Sequence, residues 1–432
     1  MELGFAVDTG HTRRNKQRFP VMELITYAVP FFLLAIIAEI GWGLWRGHNT
    51  YRVNDAFSSL MLGILSQARK FIVLGVGGWV YHQVTQLTAL SLWPSDQWFT
   101  WVTAFVLYDL CYYWSHRLGH ERQILWAAHV AHHQSEDYNL STALRQTSTG
   151  FLLGWVFYLP MYALGIPAEV VVTVGALNLI YQFWVHTQHI PELGWLEWIF
   201  VTPSNHRVHH AQNDHYLDKN YGGVFIVWDR IFGSYQRELP NEPCIYGIRH
   251  PIRSWSPLEA LIHIYRDMAF DFSRAGSWRE RLAVLTARTG WQPPSVAQRW
   301  PRPKTAIESF ERFDPPASVL QRAYALLQIV AAIALLGFGL LSSWTALGYW
   351  VWFLALLVAG ITTSHWLAAE AASLCWRWEL LRTATVVALV SYHDFSSGLM
   401  SLIGVWLIIG WGLLLWDAIS QESRAAPPAV QS

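Results

Sequence analysis

Long apolar stretches with few charges constrain this chain first. Crossing the hydrocarbon of a bilayer takes roughly 20 apolar residues, or a few less. Stretches of that kind run over residues 24–45, 98–114, 151–165, 168–185, 319–341, 344–367 and 399–416, and residues 386–392 belong to a further, shorter span. Residues 57–90 are also apolar but are interrupted by Arg69 and Lys70. That region is open between a hairpin, a broken helix and an interfacial segment. The expected fold is all-α: a polytopic integral membrane helical protein. Tryptophans gather near the ends of the spans (Trp42, Trp45, Trp98, Trp101, Trp114, Trp344, Trp350, Trp416), as interfacial aromatic belts require.

Composition agrees and excludes alternatives. Charged residues make up 14% of the chain and hydrophobic residues 53%, against about 25% charged in ordinary soluble domains. Disorder throughout is excluded, because that needs low apolar content. The 30 basic residues are balanced by 30 acidic ones, so no basic excess exists to neutralise phosphates and no nucleic-acid partner is expected. Cys111, Cys244 and Cys375 are far apart, which argues against a disulfide framework or a thiolate metal site.

The basic run Arg13, Arg14, Lys16 and Arg18 precedes the first span without a small-residue cleavage site. It is read as the flank of a retained span and not as a signal peptide. Residues 190–318 hold half of all Lys and Arg, which places that interval in the cytoplasm by the positive-inside rule. The chain divides into N-terminal spans (1–97), a histidine-rich catalytic region (98–250), a polar Arg- and Pro-rich extramembrane segment (251–318), C-terminal spans (319–417) and a disordered tail (418–432). The prolines within residues 254–316 argue for a linker over a packed domain.

The chemistry lies in the histidines. There are 18, and three clusters stand out: HRLGH (His116, His120), HVAHH (His129, His132, His133) and HRVHH (His206, His209, His210), with a further pair, His186 and His189, in HTQH. Residues three and four apart share a helix face, so each cluster is expected to present its imidazoles to one point. A lone histidine is more often a satisfied core residue. Three clusters packed without metal would leave many ring nitrogens needing partners, so a metal site is expected. Eight or more neutral nitrogen ligands are too many for one ion and suit two, and imidazole suits Zn, Cu, Fe and Ni. The first cluster continues a span, so the di-metal site is expected at one membrane face.

Several single residues have two readings. Asp109 lies two helical turns before His116 and could hold that imidazole through its far nitrogen; otherwise it is a buried acid satisfied by Tyr or Trp donors. Glu39 within a span is either functional or snorkels to the surface. Asp137, Asn139 and Arg145 are expected to order the loop after the second cluster, Trp228, Asp229 and Gly233 to shape the fold, and His365 and His393 to be structural.

The three clusters, together with HHQSEDYNLSTALRQ (132–146), QFWVHT (182–187), TPSNHRVHH (202–210) and KNYGGVFIVWDRIFGSY (219–235), resemble the fatty acid hydroxylase / sterol desaturase superfamily of membrane di-iron oxygenases, most nearly its alkylglycerol monooxygenase branch. The resemblance spans residues 98–238. It implies that the eight cluster histidines bind two Fe ions, with His186 as an additional ligand and His189 as the second nearby histidine that other members carry. Glu121, directly after the first cluster, would support a ligand or contact the reductant. The implied activity is O2-dependent hydroxylation of a lipid C–H bond, with cleavage of an alkylglycerol ether and tetrahydrobiopterin as reductant. The alternative is a fatty acid, sterol or sphingoid hydroxylase or desaturase served by a redox partner protein. The remote alternative is a membrane metal carrier.

Overall fold

A computed structural model describes residues 20–69, 76–88, 90, 92–147, 149–150, 153–341, 345–368, 372–392 and 397–425. The N-terminal basic run, Lys70, His393 and the last seven residues lie outside them. The described chain is helical: α1 (Pro20–Trp45), α2 (Val53–Arg69), α3 (Val76–Thr88), α4 (Trp98–Glu121), α5 (Gln123–Ala127), α6 (Val130–His133), α7 (Leu140–Leu144), α8 (Leu159–Ala163), α9 (Ala168–Trp184), α10 (Pro203–His210), α11 (Val227–Phe232), α12 (Pro257–Arg274), α13 (Trp278–Thr286), α14 (Pro294–Arg299), α15 (Val319–Leu341), α16 (Ala346–Leu367), α17 (Ala372–Tyr392) and α18 (Ser397–Ala425). Two isolated bridges, Phe200 with Phe225 and Ala211 with Tyr246, are the β pairings among the described residues.

Three stretches are by themselves long and apolar enough to cross a bilayer: Tyr27–Trp45, Val319–Leu340 and Leu347–Leu367. The helices Ala168–Trp184 and Met400–Trp416 are apolar but shorter. The protein is a polytopic membrane protein, although its sequence-read spans are not all realised. Residues 153–165 form a 3-10 turn (Gly154–Tyr158) and the five-residue α8 instead of a span. Gly154, Pro160 and Gly165 punctuate that segment, and Gly165 adopts a φ of 71°, so no continuous helix can form. Residues 57–90 resolve into two separate helices, of 17 and 13 residues. At about 1.5 Å per residue neither spans about 30 Å of hydrocarbon alone. The last helix continues through Asp417 to Ala425, beyond the expected end of the span.

α2 is a core element. Phe57, Met61 and Leu65 on it are fully buried, packed with Ala325, Ile329 and Leu336 of α15 and Trp352, Ala355 and Leu356 of α16, while Leu62 packs with Ala131, Ala260 and Leu261. The segment after residue 250 is a packed helical region and not a linker. Two of its prolines, Pro257 and Pro294, start α12 and α14, where a missing N–H costs nothing and the fixed φ suits helix initiation, and the others lie in the connections between helices. Ala260, Leu261, Met268, Val284 and Val296 are buried, and Met268 and Val284 pack with Ala127 beside the second histidine cluster.

Candidate metal centre

Four short stretches carry nine histidines to one place. His116 and His120 sit one turn apart at the end of α4. His129 precedes α6 as its N-cap residue, at φ −122°, and His132 and His133 end that helix. His186 follows α9 by two residues. His206, His209 and His210 lie on α10, which starts with Pro203 and a reciprocal capping box between Thr202 and Asn205. That cap supplies acceptors to a helix too short to form unaided.

The imidazoles form two sets. His116, His120, His129, His133 and His209 converge within 4.8 Å of one another, as do His132, His186, His206 and His210. The expectation that each cluster serves one point therefore needs correction, because the second and third clusters are shared between the sets. A helix advances by about 100° per residue, so positions i+3 and i+4 fall on opposite sides of position i. His206 and His210 point to one set and His209 to the other.

The spacing fits a metal. His116 and His129 Nε2 are 3.1 Å apart, His129 and His133 Nε2 3.1 Å, His132 and His186 Nε2 3.4 Å, and His186 and His206 Nε2 3.0 Å. Ligand bonds of about 2.0–2.1 Å at angles between octahedral and tetrahedral give nitrogen pairs about 2.8–3.4 Å apart. The rings are also set to offer Nε2. His116 Nδ1 lies 2.8 Å from the Tyr221 carbonyl, His132 Nδ1 3.0 Å from that of Arg145, His186 Nδ1 2.8 Å from that of Gln182 and His209 Nδ1 2.9 Å from that of Lys219. Each Nδ1–H donates to its carbonyl, leaving a lone pair on Nε2. The Nε2 atoms of His120, His209 and His210 are buried with no partner in the protein, which is costly unless a cation takes them. Burial lowers the pKa of every ring in both sets, that of His116 to about 3 and that of His132 to about 4, so the neutral, ligating form prevails at physiological pH.

The carbonyls that orient the rings are themselves held. Asp109 accepts from the backbone N–H of Val224 (2.8 Å) and Phe225 (2.9 Å), from Trp228 Nε1 (3.0 Å) and from Asn178 Nδ2 (2.7 Å). It is the buried acid satisfied by Trp228 and other N–H donors and touches no imidazole among its bonds; it reaches His116 through the loop that carries the Tyr221 carbonyl. Asp229 binds the same loop, accepting from the N–H of Tyr221 and Gly222. Close approach explains the paired glycines: a Cβ on Gly223 would lie 2.8 Å from Asp109 Oδ1. Arg145, fully buried, donates to Ala131 O, Ser58 and Gln134, ordering the loop after the second cluster as expected. Asn139 caps α7.

The remaining expectations separate. Glu121 pairs with Arg117 at 2.9 Å and lies 4.0 Å from Arg288, outside both nitrogen sets. His189 also lies outside them, edge-on to His48. Glu39 does not snorkel: it is buried and accepts from Tyr51, Thr187 and the Leu140 N–H, tying α1 to the residue after His186. Sequence reasoning missed the ring-orienting carbonyls of Lys219, Tyr221 and Gln182, since a carbonyl carries no side-chain signature.

A cavity of about 290 Å³ reaches the histidines from the apolar helices. Val29 and Phe32 of α1, Ile64 of α2 and Leu336 of α15 line it, with His116, His129, His132 and His186 on its inner wall. Its polar groups include Tyr112 and Ser115 beside His116 and Gln182 one turn before His186.

Comparison with known proteins agrees with this architecture. Residues 101–234 match the fatty acid hydroxylase family. Human alkylglycerol monooxygenase is 37% identical over 318 residues, covering 73% of this chain and 70% of the relative. Ornithine lipid hydroxylase OlsE of Rhizobium tropici is 32% identical over 229 residues, 50% of this chain and 68% of its own. Mouse lathosterol oxidase is 28% identical over 138 residues, covering 31% of this chain and 44% of its own. No solved structure matches. With nine converging imidazoles at the end of an apolar cavity and these relatives, the chain belongs to the fatty acid hydroxylase family of lipid oxidoreductases, together with the alkylglycerol monooxygenases.

Proposed function

We propose that the two nitrogen sets hold two iron ions and that the protein hydroxylates an alkylglycerol at the carbon next to its ether oxygen. One observation carries this reading. The apolar cavity ends on four of the histidines, and its polar groups Tyr112, Ser115 and Gln182 stand beside those rings. An ether lipid changes from apolar tail to polar head at the ether oxygen, so the polarity of the cavity matches that of the ligand where the reaction is to occur. Likeness to alkylglycerol monooxygenases of human, frog and zebrafish, at 36–38% identity, supports the same reading.

Iron bound there would supply activation of dioxygen. The protein's own contribution is placement and exclusion of water. Phe32, Ile64 and Leu336 hold the tail in a dry wall. Tyr112 donates to Gln182 at 2.7 Å, which keeps that pair oriented at the polar end. The carbonyls of Tyr221, Arg145, Gln182 and Lys219 keep the Nδ1 protons away from the reacting face. Overall, one oxygen atom enters the C–H bond and the other leaves as water, with two electrons and two protons from a reductant, for which we infer tetrahydrobiopterin. The hydroxylated ether is a hemiacetal, which collapses to an aldehyde and a glycerol. We place the catalytic face in the cytoplasm, on the strength of the basic residues between positions 190 and 318.

The test is mass spectrometry of lipids incubated with purified, iron-loaded protein, with and without tetrahydrobiopterin. Aldehyde and glycerol from the ether lipids, formed only with the reductant, are expected. Untouched ether lipids with hydroxylation of a fatty acid, sterol or sphingoid base through a protein electron donor would overturn the reading.

A further inference from the structure

A second cavity, of about 660 Å³, lies on another face of the histidine core. The short helix α5 separates the two. Leu125 and Ala128 face the lipid cavity, whereas Gln123 and Trp126 face the second one. The second cavity is walled by the helical region after residue 250, and charged side chains of that region line it, so its lining is polar where that of the lipid cavity is apolar. It stands one aromatic ring from the metal ligands. The Trp126 ring centroid is 5.1 Å from that of His120 and 5.7 Å from that of His133. The turn at residues 289–290 joins the same wall to the core: Thr289 donates to the His120 carbonyl and the Gly290 N–H to Gln123 at 2.9 Å.

The reaction proposed above consumes two electrons, and the lipid cavity is lined mainly by apolar side chains such as Val29, Phe32, Ile64 and Leu336, which offer a polar donor few contacts. We propose that the second cavity binds that donor as a small, uncharged, planar heterocycle of the reduced-pterin class. The size lies within the roughly 300–1,000 Å³ of small-molecule sites, too small for a protein donor to enter. Three arginines (Arg253, Arg266, Arg302) are balanced by three carboxylates (Glu259, Asp267, Glu311). Arg266 is paired with Glu259 at 2.9 Å and Arg302 with the buried Asp271, so these two are already occupied by carboxylates instead of being free to cradle a phosphate. Glu259, His263 and Asp267 recur every fourth residue along α12 and form one stripe on the wall. Glu259 is taken by Arg266, whereas Arg302 bonds Asp271 and comes only to 3.9 Å from Asp267, so Asp267 is the carboxylate offered to the N–H edge of an aminopyrimidine. A reduced pterin bound beside Trp126 would give up two electrons and two protons per turnover, leave as the oxidised pterin, and never meet the lipid.

This inference rests on the proposed monooxygenase reading, so it is tested by binding and not by turnover. Full-length, iron-loaded protein in nanodiscs is titrated with tetrahydrobiopterin by calorimetry without oxygen, with NADH and reduced flavin mononucleotide as comparison arms. Asp267→Asn weakens the carboxylate contact and is expected to raise Kd about tenfold. Thr305→Trp fills the cavity from a position whose recorded hydrogen bonds with Arg249 are through its backbone, and is expected to abolish binding. Both variants retain wild-type metal content. Unchanged Kd in both, or preferential binding of NADH or flavin, overturns the site. Pterin binding that both variants weaken, without any ether-lipid turnover, supports the site and sinks the monooxygenase reading alone.

Discussion

The histidine core and the C-terminal helices both bury charge, but for different ends. In the core, Asp109 and Asp229 are each surrounded by neutral N–H and O–H donors, among them backbone N–H groups of one loop, and that loop orients His116. In the C-terminal bundle, Glu379 and Arg382 pair one helical turn apart on α17, fully buried. Tyr324 of α15 donates to Glu379 at 2.7 Å, and Arg382 lies over the ring of Trp406 of α18, 4.4 Å from its centroid. The first arrangement positions ligands. The second joins three helices and touches no histidine of the core. Buried polarity alone therefore does not mark a reaction site; what matters is what the polar groups hold.

The largest expected effect is on a ligand. His132→Ala deletes a ring from the four-nitrogen set without adding bulk, and Ala suits the helix. Oxygenase activity should fall by more than about 100-fold, metal should be lost, and the helical circular dichroism should persist. His365, stacked on Trp378 at 5.2 Å in the C-terminal bundle, is the control: His365→Ala should keep its metal. Metal loss in both variants would erase the distinction between the regions.

Next in size is Glu379→Ala, which strands Arg382 as a lone buried charge. Leaving one partner of such a pair costs about 3–5 kcal/mol. Thermal unfolding should shift down accordingly, whereas the folded fraction keeps its full metal content by elemental analysis. Loss of metal at temperatures where the protein remains helical would show that the bundle contributes to the site.

Gly223→Ala sharpens the comparison from the core side. The added methyl meets Asp109 and Tyr112 at 2.8 Å, and overpacking of this kind costs about 1–3 kcal/mol. Because the displaced loop carries the Tyr221 carbonyl, metal affinity should fall along with stability, unlike in Glu379→Ala.

The smallest effect concerns the seam between the two regions. Glu136 accepts from the Phe313 N–H at 2.7 Å, a few residues before α15. Burial, with Asp55 and Asp137 nearby, raises its pKa to about 7 despite Arg52. A raised folded pKa means that the folded state holds the proton more tightly than the unfolded chain. The stabilisation is complete below about 4.5 and is lost as pH rises through about 7. Glu136→Gln should flatten this part of the stability–pH profile between those limits, measured by hydrogen exchange at residues 310–318. An unchanged slope would remove Glu136 from the seam.

How much was legible in the sequence follows the same division. The histidines, with their three- and four-residue spacing, announced a site that could bind metal because ligands must be side chains with few substitutes. Their sharing between two nitrogen sets was not legible, since it depends on how the 100° step of each helix faces its neighbours. Asp109 shows the limit of spacing arguments. It shares a helix with His116, yet its partners come from α9 and a loop more than 100 residues onward. Apolar runs located α1, α15 and α16 well. They misplaced a span over residues 153–165, where Pro and Gly defeat a helix that hydropathy alone favours. Prolines after residue 250 suggested a linker because the sequence does not distinguish a breaker from a helix's first residue.

On the proposed reading, nine converging imidazoles hold two iron ions beneath a lipid cavity. Metal analysis of protein purified after iron-supplemented expression, combined with Mössbauer spectroscopy, tests it most directly. The prediction is two irons per chain in nitrogen-rich environments, falling to one or none in His132→Ala and staying at two in His365→Ala. A wild-type protein that folds and cleaves ether lipids with no iron, or with one ion insensitive to His132→Ala, would contradict it.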